Sequence, residues 1–144
     1  MQTSMILAPP IERSELPSML ATLCSYESWL GPYHPQTLRL MAQVAVAYWQ
    51  AGEPGRARPL LERVVRDVGR YFGRDHDLRL EAIVTLRDLL VAHQDYERAG
   101  AVQRELLECQ IQRLGRDHPE TLAARANLAM ILLKNVACNS TTEA

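Results

Sequence analysis

A short block with a histidine at its centre occurs three times along the 144-residue chain. "LGPYHPQTL" begins at Leu30, "FGRDHDLRL" at Phe72 and "LGRDHPETL" at Leu114, so the period is 42 residues. Gly31, Gly73 and Gly115 align, as do His34, His76 and His118, and Leu38, Leu80 and Leu122 close the blocks. One match can arise by chance, but four aligned columns cannot. A constant period between 20 and 50 residues marks a chain built by stacking one supersecondary unit on the next. The expected fold class is therefore all-α, an α-solenoid of antiparallel helix pairs with about six helices.

Two helices fit between successive blocks. A first one, helix A, is expected from Pro35 to Ala51, where "LRLMAQVAVAYW" is apolar almost all round and so must be packed on several sides. Gly52, Pro54 and Gly55 break it. Helix B follows to Tyr71, with Leu60, Leu61, Val64, Val65 and Val68 on one face and Arg56, Glu62, Arg63, Arg66 and Arg70 outside. The plan repeats with helices near Asp77–His93, Asp95–Arg113 and Pro119–Asn135, preceded by a lone helix B from Leu16 to Leu30.

The recurring histidines could suggest a metal site. Stacked helices, however, lie about 8–10 Å apart, and zinc binds imidazole nitrogen at about 2 Å. His34 and His118 are therefore too far apart to share an ion. Each glycine instead suits the end of a helix B, and Pro35 and Pro119 suit the first turn of the next helix. The histidine between them can bond the exposed backbone groups at that junction, so the block reads as helix capping and not as acid–base chemistry. Cys24, Cys109 and Cys138 share no spacing with a catalytic histidine, and no G-x-x-x-x-G-K loop occurs. No catalytic residue, metal or cofactor is expected, and the chain does not read as an enzyme.

Composition narrows the partners. The formal net charge is −1, so no global field recruits nucleic acid or an anionic membrane. The arginines of the first helix B are interleaved with Glu62 and Asp67 and read as a solvated face. No stretch approaches the roughly 20 apolar residues that span a bilayer, and the N-terminus lacks the pattern of a signal peptide. Three cysteines without short spacing fit reduced thiols, hence a cytoplasmic setting.

At these residues the chain resembles tetratricopeptide repeat proteins of the 42-residue kinesin-light-chain-like type. The resemblance rests on "GRDHPETL" with "ANLA" at Ala126–Ala129, and on "HPQTL" with "AYWQAGEPGRARPLLERV" from Ala47. Ala57 and Ala99 take the small-residue position of helix B, and Gly52 that of the interhelical glycine. It covers about Leu16 to Asn135 and implies a right-handed superhelix. The corresponding division is an extended segment 1–13, a half-repeat 14–30, repeats 31–72 and 73–114, a partial repeat 115–135 and a disordered tail 136–144. Some positions depart from the pattern: Arg87 stands where Ala45 and Ala129 are small, Gln103 replaces Leu61, and Gln94 and Val136 replace the interhelical glycine.

Along each helix A, residues at 3–4 spacing share one stripe. It reads Arg39, Gln43, Val46, Gln50; then Glu81, Thr85, Asp88, Ala92; then Ala123, Asn127, Met130, Lys134. The resemblance implies that this stripe lines a concave groove, making Arg39, Gln43, Val46, Trp49, Gln50, Glu81, Thr85, Asp88, Asn127, Met130 and Lys134 the residues expected to face a protein or peptide partner. Trp49 is the natural anchor, unless it, Val91 and Leu133 pack between repeats. Gln43, Thr85 and Asn127 would form an aligned hydrogen-bonding row. The last helix A offers a second surface: Leu128, Leu132 and Leu133 predict self-association as a homodimer, or a longer array that covers them.

Overall fold

Each histidine block closes one helix and opens the next, and the backbone shows how. In the computed structural model, which describes residues 15–142, six helices follow one another: α1 (Leu16–Trp29), α2 (Pro35–Gln50), α3 (Pro54–Phe72), α4 (Asp77–Ala92), α5 (Tyr96–Leu114) and α6 (Pro119–Thr142). No strand occurs among the described residues. The segment expected to be extended, 1–13, lies outside them. At the α1–α2, α3–α4 and α5–α6 turns, Gly31, Gly73 and Gly115 have φ of 92°, 103° and 90°, which glycine adopts without steric cost. Three residues on, the Nδ1 atoms of His34, His76 and His118 accept from the backbone N–H of Gln36, Leu78 and Glu120, each at 3.2 Å. Each imidazole thus satisfies one of the four N–H groups that a helix start leaves without a partner.

The helices divide into two contact-dense units, one ending at Thr85 and one beginning at Leu86. In the first, α2 packs against both α1 and α3. That explains its sequence: Leu38, Met41, Ala42, Val44, Ala45, Val46 and Ala47 are all buried, as a helix with neighbours on two sides requires. Helix α3 meets it with one face, Ala57, Leu61, Val64 and Val68, each wholly buried at 4–3–4 spacing. Burying one such leucine or valine contributes about 1.5–3 kcal/mol. A cross-helix bond adds direction, the Thr37 hydroxyl donating to the Tyr26 carbonyl at 3.5 Å.

The second unit repeats this join with α5 and α6, where the Thr121 hydroxyl donates to the Gln110 carbonyl at 3.4 Å. Ala99, Leu106 and Cys109 of α5 and Ala124 and Ile131 of α6 are buried. The core here is less apolar than in the first unit. Gln103 and Gln110 occupy the positions of Leu61 and Val68 and are buried too.

Two expectations need correction. The tail from 136 was expected to be disordered, yet α6 continues to Thr142. Gly52 ends α2 at φ 83°, and Gln94 ends α4 in the same left-handed region at φ 60°. Both turns carry the same bonds: the Gly52 and Gln94 N–H donate to Trp49 and Val91 carbonyls at 3.0 Å. Val136 holds this register in α6. A β-branched residue is penalised at positive φ, and without a glycine or proline nearby the helix runs on. Asp67, expected on a solvated face, is buried on α3 and pairs with Arg63 at 3.5 Å and Arg66 at 3.3 Å. With Arg58 paired to Glu62 at 3.3 Å, three of the arginines on that helix have acidic partners within it. No described helix is long and apolar enough to cross a membrane.

Candidate functional site

The expected groove stripe does not present itself as one uniform surface. In the first unit Arg39, Gln43 and Gln50 are exposed, Trp49 and Glu81 are half-buried, and Val46 and Thr85 are buried. Arg39 and Gln43 border a depression of about 250 Å³ together with Tyr26, Gln36 and Leu40. Thr85 was expected to hydrogen-bond a ligand, but its hydroxyl donates to the Glu81 carbonyl at 2.9 Å. Returning the hydroxyl to the preceding turn lets a threonine fill a core position. Thr85 and Val46 are therefore removed from the ligand-facing set, and Gln43, Thr85 and Asn127 do not form an exposed row.

The second unit brings four expected residues together. Asp88, Asn127, Met130 and Lys134 line a cleft of about 310 Å³ between the last turns of α4 and the middle of α6, with Arg87, Val91, Ala92 and Ile131 completing it. Val91, Ala92, Met130 and Ile131 make much of its wall apolar, while Asn127 and Lys134 place an amide and an ammonium on the same helix.

Arg87 was not among the expected site residues, and it organises the cleft. Its Nη1 donates to Oε1 of Gln103 at 3.0 Å, and its Nε and Nη2 donate to Oδ1 of Asp88 at 3.2 and 2.9 Å. Gln103 in turn donates from Nε2 to the Ala124 carbonyl at 2.9 Å. The guanidinium is thus held from both sides, and Asp88 is neutralised by its neighbour. A charge-assisted bond of this length is stronger than a neutral one. The available signal was a pair of departures, an arginine at a small-residue position and a glutamine at a leucine position.

Residues 37–77 match the family model of the tetratricopeptide repeat. The chain carries a tetratricopeptide repeat. Two crystal structures of nearly identical tetratricopeptide-like repeats, from a Podosopora anserina protein assigned as a kinesin light chain and from a point variant of it, superpose on this fold. Each has a TM-score of 0.74 at 23% identity, covering 91% of this chain and 62% of theirs. The chain thus spans about three fifths of the length of those structures, and the likeness establishes the fold: an all-α solenoid of tetratricopeptide-like repeats. No curated protein sequence matches the chain. Within the tetratricopeptide repeat pattern, Arg87 occupies the small position held elsewhere by Ala45 and Ala129, so the middle repeat replaces a close helix contact with a polar bridge. Tetratricopeptide repeats are protein-interaction modules, which suits a cleft lined by both apolar and polar side chains.

Proposed function

We propose that this tetratricopeptide chain is a non-enzymatic scaffold that receives a segment of a partner polypeptide, and that the α4–α6 cleft of the second unit is its main contact. The observation that carries this reading is the fixed Arg87–Asp88–Gln103 bridge beside an open apolar wall with Asn127 and Lys134. Holding recognition groups in place before binding reduces the ordering entropy lost on association. Asp88 and Arg87 offset each other, which leaves Lys134 as the unbalanced charge of the lining. The partner segment should therefore place an apolar side chain against Met130 and Val91, and a carboxylate near Lys134. Arg39, Gln43, Trp49 and Gln50 are a separate candidate contact on the first unit. Cys24, Cys109 and Cys138 are thiols and not disulfides, which accords with a cytoplasmic setting.

Peptides selected from a random display library on the full chain test this reading. Their affinity should fall about tenfold or more in Asn127→Ala and Lys134→Glu, equivalent to roughly 1.4 kcal/mol or more. Selected peptides that bind both variants as tightly as the original chain would move the contact elsewhere.

A further inference from the structure

Helix α3 carries five arginines against Glu62 and Asp67, a net charge of +3 in a chain whose total is −1. The equivalent helix of the next repeat, α5, holds three arginines and three glutamates and is neutral. A positive outer face is therefore not a property of the repeat; it belongs to α3. The ion pairs within α3 do not cancel it. Arg58 and Glu62 offset each other, but Arg63 and Arg66 share the single charge of Asp67. That carboxylate is buried beneath them, its side chain 6% exposed against 39% and 69% for theirs. Arg56 and Arg70 have no acidic partner among the described residues. Each lies instead over a tyrosine ring, Arg56 at 5.8 Å from the centroid of Tyr48 and Arg70 at 5.7 Å from that of Tyr71.

The spacing of these charges selects a partner. Arg56, Arg63 and Arg70 recur every seven residues, so they share one side of α3 at intervals of about 10.5 Å, with Arg66 beside the last two. The ring contacts hold the first and last guanidinium in place, so less freedom is lost when a carboxylate arrives. The row ends at an aromatic step. Tyr71 meets Tyr33 of the α1–α2 turn with ring centroids 4.5 Å apart, yet the two remain 48% and 44% exposed. Tyrosine and arginine are among the residues that dominate binding energy at interfaces.

We propose that this face of α3 docks an α-helix of a partner protein, one with carboxylates at heptad spacing and an apolar side chain one turn beyond the last. On such a helix the carboxylates recur at the same interval of about 10.5 Å, so each meets an arginine. The apolar side chain covers the Tyr33–Tyr71 step. Nucleic acid matches less well. A duplex strand carries a phosphate about every 3.4 Å, so the ~21 Å from Arg56 to Arg70 would face about six phosphates with three evenly spaced cations. Exposed ion pairs contribute little each, so the complex is weak and salt-sensitive. None of these residues lines the α4–α6 cleft, so the docking is independent of the peptide reading.

The probe is a labelled, alanine-rich helical peptide with three glutamates seven residues apart and a leucine four residues outside the glutamates at each end, so that either direction can dock. Its control is an isomer of equal composition with the glutamates five residues apart, which scatters them around the helix. Fluorescence anisotropy with the full chain should give the heptad peptide a Kd below about 1 mM at low salt, weakening as salt rises. The isomer should bind at least fivefold more weakly. Arg56→Gln, Arg70→Gln and Tyr33→Ala should each weaken the heptad peptide about two- to fivefold, the scale of one exposed contact, with helicity by circular dichroism unchanged. Lys134→Glu, in the other cleft, should leave it unchanged. No binding up to about 1 mM, equal binding of the isomer, tighter binding of duplex or single-stranded DNA, an affinity indifferent to both arginine variants, or one lost in Lys134→Glu would each overturn the proposal.

Discussion

Arg87 and Gln103 are bonded to each other across α4 and α5, Nη1 to Oε1 at 3.0 Å, and each stands where the repeat elsewhere places an apolar residue. Gln103 is wholly buried, so its amide depends on this partner and on the Ala124 carbonyl. Arg87→Ala strands a buried acceptor and should cost about 1–3 kcal/mol. Replacing both partners by Arg87→Ala and Gln103→Leu returns the pair seen at Ala45 and Leu61, and should recover most of that loss. Urea unfolding of both single variants and the double variant measures the coupling. Simple additivity would show that the bridge contributes nothing to stability.

This pair also shows where the sequence was legible and where it was not. The 42-residue period and its glycine–histidine turns repeat identically, so five of the six helices end within a residue or two of where pattern alone places them. Side-chain fate is another matter. Helix A has neighbours on two sides, and 3–4 spacing names a stripe without naming which neighbour closes over it. Thr85 and Val46 were therefore read as groove, although both are core. Arg87 was legible as an anomaly, but its bond to Gln103 joins positions sixteen residues apart and needs the helices in place. The extension of α6 depended on one residue, Val136, whose consequence appears only beside the φ values of Gly52 and Gln94.

A second departure in the middle repeat is compensated in the same way. Thr37 and Thr121 reach a helix B carbonyl, but Arg79 occupies that register and donates from Nη1 to the Arg74 carbonyl at 3.1 Å. It is buried and passes over Gly69, where a Cβ would sit 2.9 Å from its Nε and 3.2 Å from its Cδ. Gly69→Ala should therefore fail to yield the usual helix gain of about 0.5–1 kcal/mol. In an Arg79→Thr background the same change should stabilise by about that amount. Thermal unfolding of the four proteins reads this sign change, and a gain of equal size in both backgrounds would exclude the steric coupling.

Gln94 holds a left-handed conformation without being glycine. Single non-glycine residues in that region cost roughly 1–2 kcal/mol. Because the flanking bonds match those at Gly52, Gln94→Gly should raise stability by up to about 1 kcal/mol without altering the turn. Denaturant midpoints provide the measurement, with an unchanged slope showing that the fold itself is unaffected.

The three histidine caps make the last prediction, and it separates capping from any shared chemistry. Each imidazole accepts one N–H through Nδ1 on its own helix. His34→Ala, His76→Ala and His118→Ala should each cost about 0.5–2 kcal/mol, the usual loss on removing an N-cap acceptor. Aspartate offers an acceptor at the same place and adds a negative charge where the helix dipole favours one. His118→Asp should therefore match or exceed the original stability. A metal site built from these side chains predicts the contrary: stability that rises with added zinc and falls with a chelator, and losses that do not add. Unfolding curves with and without chelator, on the single variants and the triple alanine variant, distinguish the two. Additive losses indifferent to metal are the expected result, because each Nδ1 accepts from its own helix and among the described residues no bond links one cap to another.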